Sequence, residues 1–234
     1  MRGVDDDVLL SLEGVSFSYP VSAGLFTRYK IPVASDLSFS LTRGDRLGIV
    51  GLNGEGKSTL LRLIAGVIEP DAGEIVRKKN VSIALLALGV GFNPFLTGRD
   101  NAILSAVLMG RDQDWAHLQL TKIRSFSELG DAFDRPVRTY SAGMRARLAF
   151  SVAFNMEVDV LLIDEVLAVG DANFRAKAAL ALNQKLGKGQ TMVLVSHSSS
   201  EIKRVCNRAI WLSKGCIQEV GDPDDVISAY EVFT

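Results

Sequence analysis

The string Gly51-Leu52-Asn53-Gly54-Glu55-Gly56-Lys57-Ser58-Thr59 is a glycine, four residues, then Gly-Lys-Ser. It follows Leu47-Gly48-Ile49-Val50, apolar enough for a buried strand, and precedes Leu60, Leu61, Leu63, Ile64 and Val67 at helical spacing. A strand that turns through glycines into a helix leaves few folds open. Glycines at 51, 54 and 56 permit positive φ and let backbone N–H groups turn inward, and the new helix aims the positive end of its dipole at the same point. The turn is therefore a cradle for a polyphosphate. Lys57 supplies a point charge for the β- and γ-phosphates, and Ser58 is placed to offer its hydroxyl to Mg²⁺.

The 234 residues suffice for one large domain or one domain with an inserted lobe, and 47% hydrophobic residues supply a sizeable core. A net charge of −1 disfavours nonspecific nucleic-acid binding. Cys206 and Cys216 have neither metal-ligand partners nor dense spacing and read as reduced thiols. Met1 to Asp7 lacks the apolar core of a signal peptide. The longest apolar stretches, such as Ser82 to Phe92, are about half the ~20 residues that span a bilayer, so a membrane role must come through a partner.

Along the chain, Val8 to Tyr19 alternates as strand in an antiparallel piece, and Leu37, Phe39 and Leu41 alternate before the turn Arg43-Gly44-Asp45. Between them, Pro20 to Lys30 is either a loop or a short amphipathic turn built on Leu25, Phe26 and Tyr29. Pro70 to Gly73 is a turn, Glu74 to Arg77 a strand, and Arg77-Lys78-Lys79 a solvated charge run. Val81 to Leu88 reads as strand, and the glycines and proline from Gly89 to Gly98 as a structured loop. Helical spacing in Asp100 to Met109 and again between Asp114 and Leu129 marks an inserted helical lobe.

A second group of motifs follows. Tyr140-Ser141-Ala142-Gly143-Met144-Arg145 opens a helix with Ser141 as cap and Met144, Leu148 and Val152 on one face; such a start is either an ordinary cap or an anion site. Val158 to Ile163 reads as a strand buried on both faces, ending in Asp164-Glu165. Beside a phosphate cradle, Asp164 can hold Mg²⁺ through water, and Glu165 can accept a proton from a water attacking the γ-phosphate. Phe174 to Leu186 is a helix, and Thr191 to Val195 a strand that delivers His197 to the crevice where parallel sheets bind ligands. Ser198 to Glu201 has capping-box spacing, Ala209 to Val220 reads as a hairpin about Lys214-Gly215, and Asp222-Pro223 starts the last helix.

With these motifs in this order, nearly the whole chain resembles an ABC-transporter nucleotide-binding domain. Gly91-Phe92-Asn93-Pro94-Phe95-Leu96-Thr97-Gly98, Tyr140 to Met144 with Arg147 to Phe150, and Asp164 to Asp171 look like the branch that exports polysaccharides and teichoic acids. The resemblance implies an α/β P-loop NTPase fold of ABC type, with a mostly parallel central sheet, an N-terminal antiparallel β piece and an inserted helical lobe. It implies a single domain over 1–234, with a RecA-like core at about 1–95 and 156–234 and a helical subdomain at about 96–155.

It further implies a head-to-tail homodimer beneath two copies of an integral membrane permease, at the cytoplasmic face of the bacterial inner membrane, with ATP and Mg²⁺ as cofactors and lipid-linked polysaccharide as cargo. In that arrangement Tyr19 stacks on adenine, and Gly51, Asn53, Gly54, Gly56, Lys57, Ser58 and Thr59 hold the phosphates. Ser58 and Asp164 order the metal, Glu165 polarises water, and His197 touches the γ-phosphate. Ser141 and Gly143 close the site from the second subunit, Asp171 contacts across the dimer, and 20–30 lies where some members carry a short gating helix.

The sequence departs from the common family pattern in two places. Leu85, Leu86, Ala87 and Leu88 stand where most members have a glutamine that reaches Mg²⁺, and the signature has Ala142 and Met144 in place of Gly and Gln. Both read as subfamily marks, with slow or partner-dependent hydrolysis as the competing account. A chain ending at Thr234 is expected to lack the C-terminal carbohydrate-recognition domain of some exporters, which points to capsular polysaccharide or O-antigen, with teichoic acid as the alternative cargo. Soluble ABC ATPases acting on DNA or ribosomes share the site chemistry but need a coiled coil or tandem domains.

Overall fold

Leucine, isoleucine and valine runs too short for helices form the middle of the parallel sheet in the computed structural model, which describes residues 7–23, 27–86, 92–164 and 171–233. The chain divides into two units: Met1–Ile83, Asp159–Glu165 and Gly189–Thr234 form the first, and Ala84–Val158 with Val166–Lys188 the second.

In the first unit, β1 (Val8–Ala23), β2 (Thr27–Thr42) and β4 (Ala72–Arg77) pair antiparallel in the order β2-β1-β4. The larger sheet runs β5-β6-β7-β3-β8-β9, from β5 (Ile83–Leu86), β6 (Val160–Asp164), β7 (Thr191–Val195), β3 (Arg46–Val50), β8 (Arg208–Ser213) and β9 (Cys216–Gly221). β3, β6, β7 and β8 are parallel and β9 is antiparallel to β8. Every residue of β7 and Val160 to Ile163 of β6 are buried, as strands covered on both faces require. Helix α1 (Lys57–Ala65) lays Leu60, Leu61, Leu63 and Ile64, all fully buried, into this core. Since β3, β6 and β7 are neighbours and parallel, their carboxyl ends lie side by side, and each ends at a motif the sequence singles out.

The chain first leaves this unit after Ile83 and returns at Asp159, and Ser82 and Asp159 are bolted together. Asp159 N donates to Ser82 Oγ at 3.0 Å, and the Asp159 carboxylate accepts from Ser82 N at 3.0 Å and Ser82 Oγ at 2.8 Å. The Ser82 amide, with help from its hydroxyl and Arg43, holds the Asp159 carboxyl below the usual carboxylate range. Cys206 and Cys216 are free thiols, and burial pushes Cys206 up to about 12, so it stays protonated and inert.

The second unit holds α2 (Gly98–Leu108), α3 (Gln113–Ser127), α4 (Ala142–Asn155) and α5 (Ala172–Leu186). Its core gathers Leu120, Ile123, Phe133, Val137, Tyr140, Leu148 and Val152. Beside it Phe126, Phe150 and Phe154 stack at 5.1 to 5.9 Å, and Phe174 meets Phe126 and Phe150 edge-on at 5.9 Å. Those edge contacts bind α5 to α3 and α4. The unit therefore includes residues 96–155 together with α5.

Two expectations change. The segment 20–30 is neither loop nor gating helix where described: strand pairing continues through Pro20↔Lys30, Val21↔Tyr29 and Ala23↔Thr27, with 24–26 outside the described residues. Cross-strand hydrogen bonding overrides the turn propensity of Pro20 and Ser22. The capping box at Ser198 is also rearranged. Ser198 Oγ accepts from Glu201 N at 3.3 Å, but the Glu201 carboxylate takes the Ser196 hydroxyl at 2.6 Å in place of the Ser198 amide. Leu85 and Leu86 sit on β5, while Ala87 and Leu88 fall outside the described residues.

Candidate functional site

The start of α1 differs from those of α2 to α6. Those helices (α6 is Ser199–Val205) are capped by side-chain oxygens of Thr97, Asp112, Ser141, Asp171 and Ser198. The α1 cap is Gly56, with φ 91°, no side-chain bond and no acidic residue in the first turn. No side chain caps this helix start, and the helix dipole favours an anion there. The backbone fits this use tightly. A Cβ on Gly56 would stand 2.5 Å from the Val33 carbonyl oxygen, and one on Gly51 would stand 2.3 Å from the Leu212 carbonyl oxygen. Only glycine serves at either position.

Lys57 is 7% exposed, and its ammonium donates to the Gly51 carbonyl at 2.7 Å and the Leu52 carbonyl at 2.8 Å. The Gly51 and Leu52 carbonyls therefore hold the lysine across the loop. Over this turn lies a cavity of about 320 Å³, lined by Asn53, Gly54, Gly56, Lys57, Ser58 and Thr59 from the loop and α1. Asp164 from the end of β6, Val195 with His197 just past β7, and Tyr19 and Val33 from the antiparallel sheet complete the wall. A lysine, a hydroxyl and a carboxylate around one anion cradle are the donor set for a nucleotide polyphosphate with a hard divalent cation. Among the described residues no three His, Cys, Asp or Glu side chains gather to hold a metal, so a cation here would need the ligand's own oxygens.

Tyr19 is half-buried and held on two sides. Phe17 meets its ring edge-on at 4.9 Å, Arg62 donates to its hydroxyl at 3.3 Å, and that hydroxyl lies 3.4 Å from Thr59 Oγ1. The ring is thus fixed at the mouth of the cavity.

The structure places nine predicted residues on this one cavity: Tyr19, Asn53, Gly54, Gly56, Lys57, Ser58, Thr59, Asp164 and His197. Gly51 supports it from below through Lys57. Glu165 lies outside the described residues. Ser141, Gly143 and Asp171 belong to the second unit. There Ser141 caps α4 by accepting from Met144 N at 3.1 Å, and around a Cβ at Gly143 only Ser141 Oγ comes near, at 3.8 Å. Asp171 caps α5 by accepting from Phe174 N at 3.0 Å and pairs with Arg147. The Phe174 amide, seconded by the Arg147 charge, holds its carboxyl below the usual range.

Sequence reasoning missed three residues. Arg62 stands at i+3 from Thr59 on α1, a spacing that was readable. Val33 approaches Gly56 only through tertiary folding, and Glu55 stands at a variable position of the motif, which carries no signal of its own.

Comparison with known proteins adds to this geometry. A family model described as ABC transporter matches residues 34–168. The O-antigen export system ATP-binding protein RfbB of Klebsiella pneumoniae is 42% identical over 196 residues, 84% of this chain and 79% of that protein. The ABC transporter protein AbcA of Aeromonas salmonicida is 46% identical over 83% of this chain and 63% of its own length. The teichoic acids export ATP-binding protein TagH of Bacillus cereus is 42% identical over 85% of this chain, which spans 36% of that relative. Among solved structures, a dimeric ATP-binding cassette in a post-hydrolysis state bound to ADP and Pi superposes with TM-score 0.75 at 20% identity, covering 92% of this chain and 99% of that one.

Proposed function

The chain belongs to the ABC transporter family, and from that premise we propose that it is the ATP-binding and ATP-hydrolysing subunit of an exporter of lipid-linked polysaccharide, of O-antigen or capsular type. The observation that carries the reading is the glycine-capped α1 with buried Lys57, facing Asp164 and His197 across one cavity. Similarity to RfbB supports the glycan cargo, and similarity to TagH keeps teichoic acid as the second reading.

On this reading the α1 amides and Lys57 hold the β- and γ-phosphates, and Tyr19 offers its ring to adenine. Ser58 and Asp164 hold Mg²⁺, which when bound offsets charge on the phosphates. Glu165 takes a proton from the attacking water, and His197 donates to the γ-phosphate. Ser141 and Gly143 of a second copy close the site: the open surface at Gly143 lets a phosphate approach the capped start of α4. Asp171 contacts the other subunit, with its carboxylate already committed to Phe174 N and Arg147.

Among the described residues no helix is long and apolar enough to cross a membrane. The translocation path is accordingly assigned to an integral membrane permease in two copies, with this chain peripheral at the cytoplasmic face and no nucleic acid among its partners.

In cells, replacing the chromosomal copy with Lys57→Ala is expected to leave lipid-linked glycan on the cytoplasmic side while surface glycan falls to background. Mass spectrometry of the accumulated lipid separates O-antigen or capsular repeats from teichoic acid. Unchanged surface glycan, with the protein copurifying with ribosomes or DNA, would refute transport and leave the ATPase reading standing.

A further inference from the structure

Glu55 sits inside the phosphate loop yet does not line the cavity; its neighbours Gly54 and Gly56 do. Its carboxylate points the other way and accepts the backbone N–H of Lys214. Lys214 and Gly215 form the turn between β8 and β9, with positive φ of 49° and 73°. That turn is pressed against the loop through β2. Ser35 N donates to the Gly215 carbonyl at 2.9 Å. The Val33 carbonyl oxygen stands 2.5 Å from a Cβ placed on Gly56 and 2.7 Å from one placed on Gly215. Val33 to Ser35 is therefore wedged between loop and turn, and the Glu55 bond spans the same pair directly.

The consequence is mechanical and electrostatic. A loop that holds phosphates through its amides works only if the peptide after residue 55 keeps its N–H group inward, the Glu55 N–H itself donating to the Leu52 carbonyl at 3.4 Å. A side chain anchored on the outer side fixes that orientation, as a charge-assisted bond to a backbone amide does well. It also solves a problem of the sequence. A carboxylate within a phosphate loop repels polyphosphate if it swings inward, and the Lys214 amide keeps it out.

We propose that Glu55 is a positioning residue, latched to the Lys214 amide of the β8–β9 turn, that holds the phosphate loop in its nucleotide-receiving conformation. The proposal rests on the nucleotide reading of the cavity. Glutamine keeps the acceptor and alanine removes it, so the pair separates the latch from the charge.

In the nucleotide-free protein, Glu55→Ala is expected to speed hydrogen exchange at the Lys214 amide by about tenfold or more, with Glu55→Gln close to wild type. In calorimetric titration with ADP, Glu55→Ala is expected to weaken binding by about fivefold to tenfold, and Glu55→Gln by no more than about twofold. With ATP, the alanine variant should raise KM by a similar factor while kcat stays within about twofold, since the residue acts on loop geometry and not on the reacting atoms. Unchanged Lys214 exchange, unchanged ADP affinity, or a glutamine variant as weak as alanine would each overturn the latch. Absence of any nucleotide binding by the wild type would instead refute the reading of the cavity, while the exchange measurement still decides whether the latch exists.

Discussion

Replacing Lys57 by alanine is expected to weaken ATP binding by about a hundredfold or more and to reduce hydrolysis to background. Lys57 is buried and lies across the loop, bonded to the Gly51 and Leu52 carbonyls. Losing it removes the one loop cation facing the phosphates and leaves two carbonyls to find other donors. Truncating one member of a buried, hydrogen-bonded charge pair costs about 2–5 kcal/mol, and every 1.4 kcal/mol is about tenfold in affinity. Calorimetric titration with ATP measures the loss. Lys57→Met, which keeps the apolar stem, controls for packing and should bind as poorly if the ammonium is what matters. Circular dichroism should be unaltered for both, because α1 is anchored by Leu60, Leu61, Leu63 and Ile64.

The second large effect is expected at Glu165. Glu165→Gln keeps shape and hydrogen bonding but cannot take a proton, so hydrolysis should fall by about 10²–10⁴ while ATP affinity stays within a few-fold. With turnover blocked, ATP should hold two copies together, which size-exclusion chromatography with and without ATP would register. Undiminished turnover in this variant would remove Glu165 from the role of base.

The phosphate loop was readable because its chemistry is consecutive in the chain: strand, glycines, lysine and helix occupy residues 46–65, and no distant contact is needed to recognise them. The Val160–Asp164 and Thr191–Val195 strands were readable for a similar reason, since burial on both faces demands unbroken apolar runs. Features that depend on distant partners were not. Nothing local to Phe174 tells that its ring meets Phe126 and Phe150. Pro20 and Ser22 signal a break, and only the pairing with residues 28–30 shows that the strand continues. The Glu55 latch is the extreme case, joining positions 55 and 214 through a backbone amide that carries no sequence signal.

On the proposed function, the Lys57 loop forms half of a site that Ser141 and Gly143 of a second copy complete. Mixing two inactive variants tests it most directly: Lys57→Ala, which loses the loop, and Gly143→Asp, which sets a carboxylate where a phosphate should approach. In a mixed dimer one site combines the intact loop of the second variant with the intact α4 start of the first. Single-turnover ATP hydrolysis, measured with the copurified membrane partner, should be near background for each variant alone. An equimolar mixture should recover about a quarter of wild-type activity, since half the dimers are mixed and each has one good site of two. A mixture no more active than the average of its components would contradict the shared site and return catalysis to a single chain.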